Sequence, residues 1–337
     1  MEYDVIVIGG GHAGIEASLS ASRMGVSVLL ITGNLDTIGY MSCNPSIGGV
    51  GKGQLVREID ALGGQMGLAI DTTGIHFKML NTGKGRAVWS PRAQADKKYY
   101  LGYMKGIVES QPNLDILQGW VEEIFVKENK IIGIKTDLGL TIKAKALILC
   151  PGTFLNGIIH IGEKTFPAGR LGELPSIKLA EKIKKLGIQT GRLKTGTPPR
   201  INKNTIDFSK IKPQKADQKP ASFSFRTKKI NRPMIDCFLT WTNKDTHKII
   251  ADNLYRAPLY TGQIKSTGPR YCPSIEVKII RFPDKDSHQI FLEPEGTDTD
   301  EIYVNGFATS IPIDVQEKAI KTISGLENVK IMIRYGL

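Results

Sequence analysis

The stretch Asp4–Gly14 (DVIVIGGGHAG) constrains this chain more than any other part of it. Asp4–Ile8 is a short, β-branched apolar run, the pattern of a buried strand. It leads straight into Gly9-x-Gly11-x-x-Gly14. Ile15–Met24 then reads as a helix ending at Gly25, and Ser27–Ile31 as a second buried strand. A βαβ unit with glycines at those positions is a dinucleotide-binding fingerprint. Gly9 permits the tight turn, Gly11 lets the backbone approach a pyrophosphate, and Gly14 lets the helix pack close to the strand. The helix N-terminus offers its N–H groups to the anion. The competing reading is a glycine-rich α/β turn that holds no ligand. One element departs from the pattern: where an acidic residue would meet a ribose, the second strand ends in Thr32-Gly33-Asn34, and Asp36 comes late. Gly49-Val50-Gly51-Lys52-Gly53 resembles a phosphate loop but lacks the required flanking residues, since Ser46 and Gly53 stand where Gly and Ser/Thr are needed.

A chain of 337 residues has room for about two domains. Its 41% hydrophobic and 23% charged residues exclude a disordered chain, a collagen-like fibre and a small disulfide scaffold. No apolar run reaches the roughly 18 residues needed to cross a bilayer. The N-terminus enters a strand at once, so no signal peptide is expected. Cys43, Cys150, Cys237 and Cys272 form no CxxC pair and show no metal-ligand spacing. Free thiols in a reducing cytoplasm are therefore expected, and no metal site.

The formal charge is +12, and it is unevenly placed. Residues 178–270 hold 21 basic and 6 acidic side chains, a local charge of +15, which leaves −3 for the rest. Lysine-rich solvated faces are the bland explanation. Clustering of this kind is also the electrostatic footprint of a polyanion partner, with nucleic acid as first candidate.

Further along, residues 34–53 read as a long loop, Gln54–Leu62 as an amphipathic helix and 94–111 as a helix. Residues 116–149 read as successive strands, Lys178–Leu186 as a basic helix closed by Gly187, and 197–234 as a proline-punctuated insertion of loops and short strands. Residues 238–242, 275–282 and 288–292 are expected to be strands. Cys43 lies in the glycine-rich loop ahead of the Gln54 helix with Lys52 nearby, and Cys272 lies in a turn beside Arg270. Both are loop cysteines in cationic settings, which favour the reactive thiolate, although a structural role fits either equally well. Cys150 and Cys237, in apolar runs, are expected to be buried and inert. His12 is expected to cap the helix or line a ligand, whereas His76, His160, His247 and His288 show no metal spacing.

Longer motifs carry a resemblance. DVIVIGGGHAGIEA (Asp4–Ala17), MSCNPSIGGVGKGQLVREIDALGG (Met41–Gly64), GRLKTGTPPRI (Gly191–Ile201), GPRYCPSIE (Gly268–Glu276) and DSHQIFLEPEG (Asp286–Gly296) resemble the N-terminal part of the MnmG (GidA) family of tRNA uridine 5-carboxymethylaminomethyl modification enzymes. The resemblance implies a glutathione-reductase-like FAD/NAD(P)-binding Rossmann fold with an inserted basic α+β subdomain. It implies FAD contacts at Gly9, Gly10, Gly11, His12, Ala13, Gly14, Val121 and Ser176. It assigns NAD(H) to Gly268, Pro269, Arg270, Tyr271, Cys272, Pro273, Ser274, Ile275, Glu276, Val277, Lys278, Ile279, Ile280, Arg281 and Phe282. Cys43 and Cys272 match the family's two functionally important cysteines.

Such enzymes are homodimers that work with the GTPase MnmE in a heterotetramer. They place the carboxymethylaminomethyl group on C5 of the wobble uridine using methylenetetrahydrofolate, glycine, FAD and NADH. Family members continue well beyond a segment like Lys330–Leu337, so the resemblance implies a C-terminally truncated fold with apolar surface at that edge. The expected division is an FAD domain of residues 1–199 and 268–337 around a basic insertion of residues 200–267. A plain FAD oxidoreductase, or a non-catalytic chain that binds RNA or a partner through residues 178–270, are the competing readings.

Overall fold

The computed structural model describes residues 1–266 and 273–333, which divide into two compact units. Unit 1 comprises residues 1–157, 167–190 and 217–233; unit 2 comprises 158–166, 191–216 and 234–337.

Unit 1 is built on β1 (Glu2–Ile8), α1 (His12–Arg23) and β2 (Val28–Thr32). Parallel pairing places Leu114–Gln118 beside β2, and β1 between β2 and Thr141–Leu149. Lys130–Thr136 and Val121–Lys127 extend the sheet as antiparallel strands, giving six strands in all. Burial on both faces explains the unbroken apolar runs of β1 and β2. Ile6, Ile8, Leu29 and Ile31 join Val121, Ile134 and Ile142 in one core cluster, covered by Leu179 and Ile183 of the helix Ile177–Lys185. Each such side chain contributes roughly 1.5–3 kcal/mol on burial. On α1 the buried positions Gly14, Ile15, Ser18, Leu19 and Ser22 form one stripe. The hydroxyls of Ser18 and Ser22 are satisfied by the carbonyls of Gly14 and Leu19, so small polar residues sit in the interface without an unpaired group. A second, antiparallel sheet of Ser46–Gly48, Ser90–Ala95 and Gly74–Leu80 completes the unit with the helices Gly53–Ala61, Met66–Thr73 and Lys97–Glu109.

Unit 2 holds a six-stranded antiparallel sheet in the order Lys212–Gln214, Cys237–Trp241, Gln289–Pro294, Glu301–Asn305, Arg200–Asn202, Ile331–Ile333. Pro213 is tolerated because its strand lies at the edge, where a missing donor breaks no ladder. Ile331–Ile333 is the other edge, with Met332 exposed. Helices Lys244–Ala251, Ile275–Arg281 and Ile313–Ile320 complete the unit, whose core includes Ile250, Ile290, Leu292, Val304, Phe307 and Val315.

Two expectations are corrected. Residues 275–282 are a helix, not a strand: Ile275 and Ile279, four apart, both pack on the core of unit 2, a helical period inside a β-branched run. The stretch 94–111 begins with the end of a strand, and its helix is confined to Lys97–Glu109, capped by Asp96 accepting the Tyr99 N–H at 3.1 Å. Residues 200–267 are shared between the two units. Strands Arg200–Asn202 and Cys237–Trp241 must pair with strands from 289–305, while Phe223, fully buried, fastens residues 217–233 to unit 1.

Arg200 and Glu295 form an ion pair at 2.6 Å inside unit 2 with side chains 0% and 1% exposed; Arg200 also donates to the Thr197 hydroxyl and the Pro198 carbonyl. Arg200→Met removes the guanidinium that the buried Glu295 carboxylate is paired with and is expected to cost about 3–5 kcal/mol. Arg200→Met combined with Glu295→Leu is expected to cost less. Denaturant unfolding checks this, and a double variant as unstable as the single one refutes the account.

Candidate functional site

The glycine loop is a continuation of the sheet. Gly9 donates to the Ile31 carbonyl and Cys150 to the Ile8 carbonyl, both at 2.8 Å. Gly9 has φ +111°, and a Cβ there would collide with the Cys150 carbonyl. A Cβ on Gly14 would collide with the Gly9 carbonyl, and one on Gly10 would press on Thr32 and Ile38. Gly11 is different: nothing lies within 4 Å of a Cβ built there. Gly11 is also the N-cap of α1 and supplies no side-chain cap, so the first-turn N–H groups are left without a capping side chain among the described residues.

His12 begins the helix. Its ring meets Tyr100 edge-on at 5.7 Å, and both His12 Nδ1 and the Tyr100 hydroxyl are buried without a hydrogen-bond partner. Burial, and then the charge of Arg170, lower the His12 pKa, so the ring is neutral at pH 7. Arg170 is held by a fork of 2.7–3.0 Å bonds to Glu173 and lies over the rings of Tyr40 and Phe154, about 5 Å from each centroid. An open glycine, an uncapped helix terminus and orphaned polar atoms fit a dinucleotide pyrophosphate.

The end of the second strand is also filled. Trp120 fills the space a side chain at Gly33 would need, and Asp36 is engaged by Lys105 at 2.7 Å. Val121 is buried at the start of its strand, next to Trp120. Ser176 is the N-cap of Ile177–Lys185, and its N–H donates to the Phe154 carbonyl at 2.8 Å. Gly9–Gly14, Val121 and Ser176 thus belong to one unit. The phosphate-loop look-alike is otherwise occupied: the N–H groups of Gly49, Lys52 and Gly53 donate to the carbonyls of Pro91, Gly49 and Gly49.

Cys43 carries a half-buried thiol. Its loop begins where Gly39 (φ +74°) donates to the Gly10 carbonyl at 2.9 Å, and it ends where the Pro45 carbonyl accepts from Ala95 at 2.7 Å. Cys43 stands four positions after Gly39, so the sulfur's backbone stays within about 14 Å of that tie to the glycine loop. Cys237 is buried as expected, whereas Cys150 is only half-buried, and what burial it has raises its pKa. Cys272, with Gly268, Pro269, Arg270 and Tyr271, lies outside the described residues. Pro273–Phe282 belongs to unit 2. There Ser274, Ile275 and Glu276 are buried, and Glu276 accepts from Thr309 (3.0 Å) and Ser310 (3.2 Å). Burial raises the Glu276 pKa despite these bonds and the nearby Lys194 charge. Lys278 donates to the Gly306 carbonyl, and Ile280 and Phe282 are exposed. Among the described residues, no cluster has the makings of a metal site and no helix is long and apolar enough to cross a membrane.

Residues 4–337 match the family model for glucose inhibited division protein A. The chain belongs to this family. It is 58% identical over 331 residues to a protein named tRNA uridine 5-carboxymethylaminomethyl modification enzyme MnmG from Thermodesulfovibrio yellowstonii, covering 98% of this chain and 53% of that one. The protein of that name from Aquifex aeolicus is 55% identical over 340 residues, covering 99% and 55%. The crystal structure of Aquifex aeolicus GidA in its form I crystal superposes with a TM-score of 0.94 at 55% identity, covering 98% of this chain and 56% of that one. The Rossmann-type α/β fold is that of GidA. The chain spans about half the length of the curated relatives it matches.

Tyr40, Tyr100, Trp120 and Arg170 escaped sequence reasoning, because no local motif marks them. Two variants test the loop. Gly11→Ala is expected to change stability by about 1 kcal/mol or less yet to weaken dinucleotide binding about tenfold or more, roughly 1.4 kcal/mol, by filling the open space. Gly14→Ala is expected to destabilise the unit itself by several kcal/mol, of the order seen for overpacking or above. Equal effects of the two on stability would contradict the geometry. A lowered histidine pKa also means the unfolded state takes up the proton first. The stability that His12 lends is therefore complete above its ordinary value near 6.5 and is lost as pH falls below it. Unfolding midpoints between about pH 7.5 and 5 are expected to fall more for the parent chain than for His12→Gln, and parallel curves would refute this.

Proposed function

We propose that this chain is the dinucleotide-binding portion of a flavin-dependent enzyme that adds the carboxymethylaminomethyl group to C5 of the wobble uridine of tRNA. The observation that carries the reading is the Gly39–Gly10 hydrogen bond, which ties the Cys43 loop to a glycine loop built for pyrophosphate, in a chain 58% identical to a named tRNA uridine modification enzyme. Gly9–Gly14, Val121 and Ser176 hold FAD, and residues 268–282 meet NADH. When bound, the flavin supplies the hydride chemistry that side chains lack.

C5 of uracil is a weak nucleophile. Attack of a thiolate from Cys43 or Cys272 on C6 moves the C5–C6 electron pair towards C5, which then captures a one-carbon electrophile. Loss of the C5 proton expels the thiolate and restores the ring. Methylenetetrahydrofolate and glycine supply the added group. The protein works in the cytoplasm as a homodimer with the GTPase MnmE.

The charge supports an RNA partner, but fewer cations are available than the +15 of residues 178–270 suggests. Lys178 pairs with Glu122, Arg226 with Asp60, Arg256 with Asp314, and Arg200 is buried against Glu295. Lys184 and Lys185, and Lys228 and Lys229, are exposed and form no ion pair among the described residues. Such cations position a phosphate backbone without reading sequence.

The purified chain is expected to take up FAD and to shift tRNA in a salt-dependent manner. Replacing Lys184, Lys185, Lys228 and Lys229 by Gln is expected to weaken all tRNAs alike and to flatten the log–log salt slope by about 1 for each phosphate no longer neutralised. Cys43→Ser is expected to leave FAD bound while removing any covalent RNA adduct at that residue. A chain that takes up neither FAD nor tRNA would end this reading.

A further inference from the structure

Residues 223–226 are fixed with unusual care for an irregular segment. Asp71, almost fully buried, accepts the N–H groups of Phe223 (2.8 Å) and Ser224 (2.9 Å). Asp60, equally buried, accepts the Phe225 N–H at 2.8 Å and the Arg226 guanidinium at 2.7 Å, and that guanidinium also reaches the Gly64 carbonyl. Four successive residues are thereby held by two carboxylates. Phe223 points inward, fully buried against Gly48, where no side chain would fit beside its ring. Phe225 points outward and is 65% exposed. Leaving a phenyl ring in water forgoes the stabilisation its burial would bring, and a rigid backbone keeps this ring from folding away. The Arg57 guanidinium lies over it at 4.8 Å and forms no ion pair among the described residues. Lys228 and Lys229 follow three and four residues later, exposed and without an ion pair among the described residues, within about 14 Å along the chain.

We infer that Phe225 and Arg57 form a stacking platform for a base of single-stranded RNA, with Lys228 and Lys229 taking the flanking phosphates. An aromatic face, a stacked guanidinium and adjacent cations are the usual elements of sequence-tolerant single-strand binding. The ring that anchors this turn packs on Gly48, in the strand that follows the Cys43 loop, so the platform and the thiol loop share a support within unit 1. Exposed Leu55 and Ile59 on the Arg57 helix would suit a protein partner, and Glu58 is the exposed acid there; the unpaired cations favour RNA. The inference rests on the tRNA reading above and specifies where an unpaired nucleotide is held.

The test uses the whole chain with a fluorescein-labelled oligouridylate and an RNA duplex as probes. Phe225→Ala is expected to weaken oligouridylate binding about 5- to 150-fold, the value of one stacked base, with duplex binding and the thermal midpoint unchanged. Phe225→Trp is expected to bind within about twofold of the parent chain. Lys228→Gln with Lys229→Gln is expected to lower the salt slope by about 1.4. Parent-like binding by Phe225→Ala, or an equal loss in Phe225→Trp, overturns the platform. So does a Phe225→Ala chain that keeps its RNA affinity but changes its sedimentation mass, which would mark a protein interface. If the parent chain binds neither probe, the tRNA reading fails with it; if it binds and Phe225→Ala matches it, only the platform falls.

Discussion

The contact on which the nucleotide-binding unit depends is the approach of α1 to the ends of the parallel strands. Gly14 lies against the Gly9 carbonyl and Gly9 against the Cys150 carbonyl, at distances that admit only hydrogen atoms. This close approach sets where the helix begins, and so where its uncapped N–H groups point. From there three hydrogen bonds spread outward, from Gly9 to Ile31, from Cys150 to Ile8 and from Gly39 to Gly10. The last of these carries the steric constraint of the loop to the segment that bears Cys43. The glycine loop and the Cys43 loop are thus positioned by one packing requirement rather than by two separate devices.

Buried polar groups decide how the irregular parts hold together. Segment 217–233 has no regular secondary structure, and it is fastened by Asp60, Asp71 and Asp217, whose carboxylates accept the N–H groups of Phe225, Phe223, Ser224 and Met79. In unit 2, Arg200 meets Glu295 in the interior and lies over the Tyr303 ring. A charge survives burial only when its partners are complete, so each such group commits the chain to one arrangement. The same logic reshapes the electrostatics: much of the basic segment is neutralised by acids distant in sequence, and the cations left over mark smaller patches.

Where residues near in sequence carry the information, it could be read in advance. The strand–glycine–helix–strand unit, the helix beginning near Gln54 and the antiparallel strands after residue 120 follow from periodicity and turn residues, and they are present with shifts of a residue or two. The helix at Ile275–Arg281 was hidden by a β-branched run whose four-residue spacing only matters once a core lies along one side. The boundaries of the two units were hidden because strand partners come from segments about 50–100 residues apart. In the candidate site the glycines and the Cys43 loop were legible as motifs. The neutral state of His12 was not, since it depends on Tyr100 and Arg170, which reach the loop through the fold.

By itself, then, the order of amino acids determined that a glycine loop would join a buried strand to a helix, that the cysteines would lack metal-ligand spacing, and that positive charge would gather between residues 178 and 270. These follow from backbone sterics and short-range pattern, which need no distant neighbour. Tertiary structure alone decided that Trp120 fills the space beside Gly33, that Asp36 is taken by Lys105, and that Phe223 turns inward while Phe225 stays in water. Burial and pairing are properties of what a side chain meets in space, and the chain supplies those neighbours only after it has folded.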